Sequence, residues 1–390
     1  MRRVHADTAA TTRPDPAVVA AMAPWWGEAH ANASSLHRRG EAARDAVEAA
    51  RDQVARLLAC APEEIVFCSS GSESDNLALK GSLALAEAGR TRVVTTAIEH
   101  KAVLETARWL ESQGHPLTVV PVRANGQVDP DRLAEALGPD VALVSVMAVN
   151  NETGVIQPLE EIGLRVKEAG ARFHVDAVQA AGKLPISVDA WQADLVSIAG
   201  HKFHGPVGAA ALFVRRRTRL APLVHGGSHE RGRRAGTHDV AAIVGFGVAA
   251  ELAVRRLAEG EPARVAELGE LLLARLLAGV PDSALIGDLN ARLGGILDLC
   301  FRGVDGEAVL HELDRVGVEV STGSACSSGE QGPSHVLTAM GLSPEDAHAS
   351  VRFSLGREHT DDDIAWIGEV TPPIVERLRA LAGPARAKSA

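Results

Sequence analysis

The chain has 390 residues, of which 46% are hydrophobic and 23% are charged, as expected for a soluble globular protein of two or three domains. Its 50 acidic residues outnumber 40 Lys and Arg, and the net charge of −10 argues against a general binder of nucleic acid or anionic membranes. Four cysteines without a C-x-x-C pair argue against a disulfide scaffold and a structural zinc site, and the absence of Tyr excludes any phenol-based acid or base.

The N-terminal residues MRRVHADTAATT lack the apolar segment that a secretory signal requires. The longest apolar runs, such as 141–149, are far shorter than the ~20 residues that cross a membrane. We therefore expect a cytoplasmic protein with reduced thiols.

An amphipathic helix is predicted over residues 41–58, where apolar residues recur at alternating steps of four and three. Short β-rich segments then alternate with helical stretches over 101–112, 130–137 and 158–169. The predicted strands are Ile65–Phe67, Arg92–Thr96, Leu117–Val120, Val141–Met147, Phe173–Val175, Leu195–Ile198 and Ala209–Val214. This alternation predicts an α/β domain with a largely parallel sheet, whose ligands bind at the carboxyl ends of the strands.

From about residue 240 the pattern changes to one that predicts a smaller α+β domain. The predicted elements are helices over 240–259 and 262–278, an isolated apolar strand at Ile296–Phe301, a helix near 306–315, a short strand near 317–320 and a closing helix near 363–381.

The segment Cys68–Asn76, with sequence CSSGSESDN, follows the first predicted strand and precedes a helical stretch. Such a small-residue loop offers an anion the N–H groups and the positive dipole end of a helix. The alternative is an ordinary strand–helix turn with Ser or Asp as N-cap, and this loop alone does not separate the two.

Two further strand ends carry candidate groups. Asp176 ends the strand FHV, and Gln179 follows three residues later, so both can face one ligand. An ordinary N-cap Asp is the alternative.

Lys202 lies between an apolar strand and a Gly-Pro-x-Gly turn, where partial burial would lower its pKa and favour Schiff-base chemistry. A loop lysine in an ion pair is the alternative there.

Together these clusters match the needs of pyridoxal phosphate, which requires an amine, a phosphate cradle and a carboxylate that keeps its pyridine nitrogen protonated. Lys202, the Gly71-Ser72 turn and Asp176 would supply these groups, each after a predicted strand. His100 follows another predicted strand and could stack on the ring, with a surface His at a helix N-terminus as the alternative.

A fourth cluster, STGSACSSG, surrounds Cys326 with small residues that would leave its thiolate exposed for nucleophilic attack. The other three cysteines, Cys60, Cys68 and Cys300, fit small apolar packing positions better.

With these motifs the sequence resembles the cysteine desulfurases, pyridoxal-phosphate enzymes of the class V aminotransferase type, and especially their iron–sulfur-cluster and nitrogen-fixation group. The motifs that carry the resemblance run in order along nearly the whole chain. They are DTAATT (7–12), NASSLH (32–37), NNETG (150–154), GKLP (182–185), HERG (229–232), AGT (235–237) and RFSLGR (352–357).

The resemblance implies a pyridoxal-phosphate-dependent transferase fold of type I. A large cofactor-binding domain would span residues 14–255. A smaller α+β domain, formed by residues 1–13 and 256–390, would carry the reactive-cysteine loop.

The resemblance also implies a role for each matching residue. Lys202 matches the lysine that binds the cofactor covalently, His100 the histidine that stacks on the ring and transfers protons, and Cys326 the cysteine that becomes persulfidated. Arg352 matches the clamp for the substrate carboxylate, and Asn151 an asparagine near ring and substrate. The other implied cofactor contacts are Asp176 at the pyridine nitrogen, Gln179 at the ring hydroxyl, Gly71, Ser72 and His201 at the phosphate, and Thr237 at the phosphate from the other subunit of a dimer.

The chain departs from the family pattern at Ala199, where a serine usually precedes Gly-His-Lys. Loss of that hydroxyl removes one hydrogen bond to the phosphate, which is ~1.5–3 kcal/mol at most. The other departures are Ala148, Val207 and Gly294-Gly295. These departures bear on the catalytic rate and on which molecule accepts the sulfur, rather than on the class of reaction.

We therefore expect a homodimeric enzyme that converts L-cysteine to L-alanine and leaves a persulfide on Cys326 for an acceptor such as an iron–sulfur scaffold protein. One alternative is a pyridoxal-phosphate C–S lyase, which would release pyruvate and ammonia instead of alanine. A selenocysteine lyase would differ only in its substrate preference. A non-catalytic sulfur-relay or scaffold protein would take up no cofactor.

Overall fold

The computed structural model describes residues 2–322 and 332–382. Its large sheet has the strand order β2-β8-β7-β6-β5-β3-β4. These strands are β2 (Ile65–Cys68), β3 (Arg92–Thr96), β4 (Leu117–Val120), β5 (Val141–Met147), β6 (Arg172–Asp176), β7 (Leu195–Ala199) and β8 (Ala210–Val214). The pairs from β4 to β7 are parallel, whereas β8 runs antiparallel to β2 and β7. The mostly parallel sheet predicted from the alternation of elements is confirmed.

Helices cover this sheet, and strands β5, β7 and β8 are buried along their whole length. The helices are α1 (Pro16–Met22), α2 (Arg38–Leu57), α3 (Gly71–Leu83), α4 (Lys101–Ser112), α5 (Pro130–Glu135), α6 (Leu159–Glu168) and α7 (Val240–Ala258). The predicted boundary at residue 255 therefore lies within the last turn of α7. Because β5, β6 and β7 are parallel, their carboxyl ends meet at one edge of the sheet.

A second, antiparallel sheet has the order β12-β10-β9. Its central strand is β10 (Ile296–Phe301), so the prediction of an isolated strand is wrong. The neighbours β9 (Ser283–Ile286) and β12 (Ser350–Ser354) escaped prediction because each is short and carries polar residues. The remaining helices are α8 (Glu261–Gly279), α9 (Gly306–Arg315), α10 (His335–Ala339), α11 (Pro344–His348) and α12 (Asp361–Ala382).

The N-terminal segment connects the second sheet to the edge of the first. Strand β1 (Val4–His5) pairs in parallel with β11 (Val318–Glu319), and Asp7 bridges to Ser354 at the end of β12. A few residues later the N–H of Thr12 donates to the carbonyl of His201 at 2.8 Å. The same short segment thus reaches from the small sheet to the turn that carries Lys202.

No helix within residues 2–322 and 332–382 combines the length and the apolar character that a membrane span requires.

Candidate active site

A cavity of about 300 Å³ opens at the carboxyl ends of β5, β6 and β7. Ten of the residues predicted from the sequence line it: Gly71, Ser72, His100, Asn151, Asp176, Gln179, Ala199, His201, Lys202 and Arg352. Thr237 is instead exposed in the loop before α7, outside this cavity. Cys326 lies outside the described residues.

Lys202 follows β7 in a 3₁₀ turn, Gly200–Lys202. Its Nζ donates to the carbonyl oxygens of Ala9, at 2.7 Å, and Ala10, at 2.8 Å. These two acceptors hold the amine at the wall of the cavity. The predicted set of site residues did not include them.

Asp176 and His100 approach each other from neighbouring elements. Burial raises the pKa of the Asp176 carboxyl, while the nearby His100 and Lys202 oppose the change. Asp176 Oδ1 accepts a hydrogen bond from the N–H of Val178 at 3.0 Å. His100 is the N-cap of α4, where its Nδ1 accepts from the N–H of Ala102 at 3.1 Å, and burial lowers its pKa. The neutral ring therefore carries its proton on Nε2.

Gln179 is held at both ends of its amide. Nε2 donates to the carbonyl of Ala9 at 2.8 Å, and Oε1 accepts from Lys183 Nζ at 2.9 Å. Burial, together with the charges of Lys202 and Arg352, lowers the pKa of Lys183 to about 7. Lys183 was not predicted as a site residue, although it lies in the GKLP motif (182–185) that the sequence analysis singled out.

The phosphate-binding candidate is the start of α3, which begins at Gly71 with Ser70 as N-cap. Ser70 Oγ accepts from the N–H of Glu73 at 3.1 Å, and the two residues between them, Gly71 and Ser72, line the cavity. The first N–H groups of a helix have no partner within the helix and can bind an anion. A Cβ added to Gly71 would lie 3.0 Å from Val178 Cγ2 and 3.6 Å from Ala199 Cβ. The close packing of this loop on the β6 and β7 ends therefore favours glycine.

A buried polar network behind Asp176 escaped the sequence analysis. Burial and the charge of Asp176 raise the pKa of Asp75, which lines the cavity from α3, well above its ordinary range. Burial lowers the pKa of His174 to about 3, and this ring contacts Ser197 Oγ at 3.0 Å and Ser145 Oγ at 2.8 Å. The His174 ring is therefore neutral at ordinary pH, and the displaced pKa of Asp75 favours its protonated form.

Arg352 enters the cavity from β12 and is only 2% exposed. Its Nη1 donates to the carbonyl of Asn151 at 2.7 Å, and its Nη2 donates to Asp7 Oδ1 at 2.7 Å. These bonds fix the guanidinium, which can then bind a carboxylate in the cavity without further ordering of its own side chain.

The departures noted in the sequence fall at different distances from the cavity. Ala199 lines it, whereas Val207 is 76% exposed on a turn outside it. Gly294 and Gly295 pack against α8, and added Cβ atoms would lie 2.5 Å from Ala266 Cβ and 2.6 Å from Val265 Cγ1, respectively. These two glycines are therefore explained by the close approach of α8.

The family model described as aminotransferase class-V matches residues 4–367 of this chain. The cysteine desulfurase of Nostoc sp. (strain PCC 7120 / SAG 25.82 / UTEX 2576) is 47% identical over 381 residues, which cover 98% of this chain and 95% of the relative. A solved NifS-like protein has a TM-score of 0.91 and 36% identity, covering 97% of this chain and all of its own. SspA, solved in complex with cysteine, has a TM-score of 0.81 and 35% identity, covering 91% of this chain and 99% of its own.

Proposed function

The chain belongs to the class-V aminotransferase family and is a cysteine desulfurase, and from that premise we propose how its residues divide the reaction. L-cysteine and the thiol of Cys326 give L-alanine and a persulfide on Cys326. The observation that carries the proposal is one cavity in which Lys202, Asp176 and His100 meet the N-terminus of α3.

Pyridoxal phosphate fits this cavity group by group. The N–H groups at Gly71 and Ser72, with the side chain of His201, would hold the phosphate. Asp176 would accept a hydrogen bond from the protonated pyridine nitrogen, and Gln179 would form a hydrogen bond with the ring hydroxyl. When bound, the cofactor supplies an aldehyde that captures amines and a ring that accepts the electron pair left at the substrate Cα.

Lys202 moves the proton at the substrate Cα. Two backbone carbonyls of the N-terminal segment accept hydrogen bonds from its amine. These bonds restrict the flexible side chain, so the position of the amine depends on that segment. Arg352 and Asn151 bind the substrate carboxylate and thereby orient the Cα–H bond toward Lys202. His100 lines the cavity and would stack on the ring of a bound cofactor, where its imidazole would exchange protons with the substrate.

The thiolate of Cys326 attacks the sulfur of the substrate. An S–S bond forms while the Cβ–S bond breaks, and the electron pair left on the Cβ side takes up a proton to give alanine. The chain then carries a persulfide, and its outer sulfur passes to an acceptor such as an iron–sulfur scaffold protein.

We further propose a cytoplasmic homodimer in which Thr237 of one protomer completes the phosphate site of its partner. The exposure of Thr237 outside its own cavity supports this arrangement. We also propose that residues 14–255 form the large domain, and that residues 1–13 with 256–390 form the small domain. Separate hydrophobic cores around the two sheets support this division.

The test is to add L-cysteine and a reductant to the purified holoenzyme and to measure alanine, sulfide and pyruvate. Alanine and sulfide should form in equal amounts. The variant Cys326→Ala should keep the cofactor absorbance and release no sulfide, whereas Cys300→Ala should keep both. Burial raises the pKa of the Cys300 thiol to about 12, which suits it as the control. Sulfide release by Cys326→Ala at the normal rate would show the role of Cys326 to be wrong, and pyruvate in place of alanine would indicate a lyase.

A further inference from the structure

Asp298 is a fully buried acid in the middle of β10, and the reaction described above does not use it. It stands directly opposite Arg352 in the antiparallel pair of β10 and β12. Side chains opposed in this way share one face of the sheet, with Cβ atoms about 4.5–5.5 Å apart. Asp298 is therefore paired across the sheet with the residue proposed to bind the substrate carboxylate, and the charge of Arg352 acts on its carboxyl.

Both groups have unused hydrogen-bonding capacity. Among residues 2–322 and 332–382, neither carboxylate oxygen of Asp298 has a hydrogen-bond partner, and neither does Arg352 Nε. A buried polar group without a partner costs stability, and such exceptions in folded proteins call for an explanation. The carboxylate without a partner belongs to Asp298, and the N–H without a partner belongs to Arg352, the residue opposite it in the sheet.

The charged surroundings of Asp298 are simple within the described part of the chain. From β12 it faces Arg352, whose Nη2 already pairs with Asp7. It also interacts electrostatically with Glu152, which lies in the turn after β5. The carboxyl of Glu152 accepts a hydrogen bond from Ser334 Oγ. The residue opposite Asp298 on β9 is Ile286, which carries no charge.

We propose that Asp298 is a positioning residue that sets how strongly Arg352 binds the carboxylate of the substrate, a role that rests on the proposed function. The guanidinium has one positive charge and already shares it with Asp7. An ionised Asp298 adds a second negative charge and competes with the substrate, whereas a protonated Asp298 does not. Proton binding at Asp298 and substrate binding at Arg352 therefore favour each other.

This coupling acts near neutral pH. Burial raises the pKa of Asp298 to about 7, with the charge of Arg352 opposing the change. Below that pH the carboxyl is protonated and the substrate binds tightly; above it the carboxylate is charged and binding weakens. Burial also raises the pKa of Glu152, to about 8, so its ionisation adds to the same trend at higher pH.

Calorimetric titration of the holoenzyme with L-alanine tests the proposal, because alanine has the substrate carboxylate but no sulfur to transfer. The wild-type Kd should rise between about pH 6 and pH 8.5, and the near-isosteric Asp298→Asn should bind alanine about tenfold more tightly than wild type at the upper pH. Titrations in two buffers of different ionisation enthalpy should show that the variant takes up fewer protons on binding. For L-cysteine the variant should lower KM at the upper pH and leave kcat unchanged.

Two further variants make the outcomes separable. Cys300 lies two residues from Asp298 on the same face of β10. The control variant Cys300→Ser should therefore have the wild-type Kd and the wild-type proton uptake. Arg352→Lys should weaken alanine binding, since an ammonium cannot bind a carboxylate through two parallel N–H groups. If it does so while Asp298→Asn keeps the wild-type pH dependence and proton uptake, the role of Asp298 is overturned and that of Arg352 stands. Unchanged alanine binding in Arg352→Lys would overturn both.

Discussion

Replacing Glu230 by Gln tests what holds the loop before α7 in place. The Glu230 carboxylate accepts hydrogen bonds from Arg51 Nη1 and Nη2 at 2.8 and 2.9 Å, from His238 Nε2 at 2.6 Å and from the N–H of Phe67 at 2.8 Å. Phe67 lies at the end of β2, just before the proposed phosphate loop. Glu230 and Arg231 adopt φ values of 49° and 56°, which non-glycine residues seldom do, so these bonds must also offset local strain.

The magnitude of the effect follows from the electrostatics of the cluster. Burial alone would raise the pKa of Glu230, but hydrogen bonds from His238 and Arg51 lower it to about 2, from an ordinary value of 4.5. The gap between these two values corresponds to about 3 kcal/mol of stability, in the range found when one partner of a buried ion pair is removed. Because the folded-state pKa is the lower one, the stabilisation is complete above about pH 4.5 and is lost as the pH falls toward about 2.

The assay is thermal unfolding of the holoenzyme at pH 7 and again at lower pH. For a chain of this length, a loss of about 3 kcal/mol lowers Tm by about 4 °C. Glu63→Gln is the matched control, since it removes an exposed carboxylate that pairs with Arg216 and should leave Tm unchanged. If Glu230→Gln and Glu63→Gln had the same Tm at pH 7, the reasoning about this buried cluster would be refuted.

Three further substitutions probe the cavity itself. Ala199→Ser should tighten pyridoxal phosphate binding about tenfold, because the added hydroxyl can donate to the phosphate; equal Kd values in a titration of the apoenzyme would contradict this. Gly71→Ala should weaken the same Kd about tenfold, because its Cβ would lie 3.0 Å from Val178 Cγ2, and an unchanged Kd would show that the loop can shift. Asp176→Asn should slow alanine formation on the order of a hundredfold in single-turnover experiments while cofactor remains bound, and wild-type rates would remove Asp176 from the mechanism.

The residues at the strand ends could be predicted because parallel strands bring their carboxyl ends to one edge whatever the details of packing. Asp176, Lys202 and the Gly71-Ser72 turn each follow a short apolar run that is recognisable in the sequence. The carbonyls of Ala9 and Ala10 could not be predicted in this way. Backbone acceptors have no residue signature, and their contact with Lys202 depends on a long-range fold.

The same limit applies to the second sheet. Asp298 was recognisable as part of an apolar strand, but its position opposite Arg352 depends on the register of β10 and β12. Strand β12 has the sequence SVRFS, whose alternating polar residues are buried between elements instead of facing solvent. Such alternation is typical of a half-exposed strand, but here tertiary packing buries both faces of β12.

The path of the N-terminal segment has a consequence for how the enzyme is made. His5 contacts Glu319, 314 positions later in the chain, and Ala9 bonds to Ser354 Oγ. These contacts join residues 314 and 345 positions apart, so the N-terminal segment finds its partners only after the large sheet between them can already fold. Ala9 and Ala10, which hold Lys202, belong to the same segment that pairs with β11 and bonds to β12. The segment that holds this amine is thus anchored by contacts made with residues 314 and 345 positions further along the chain.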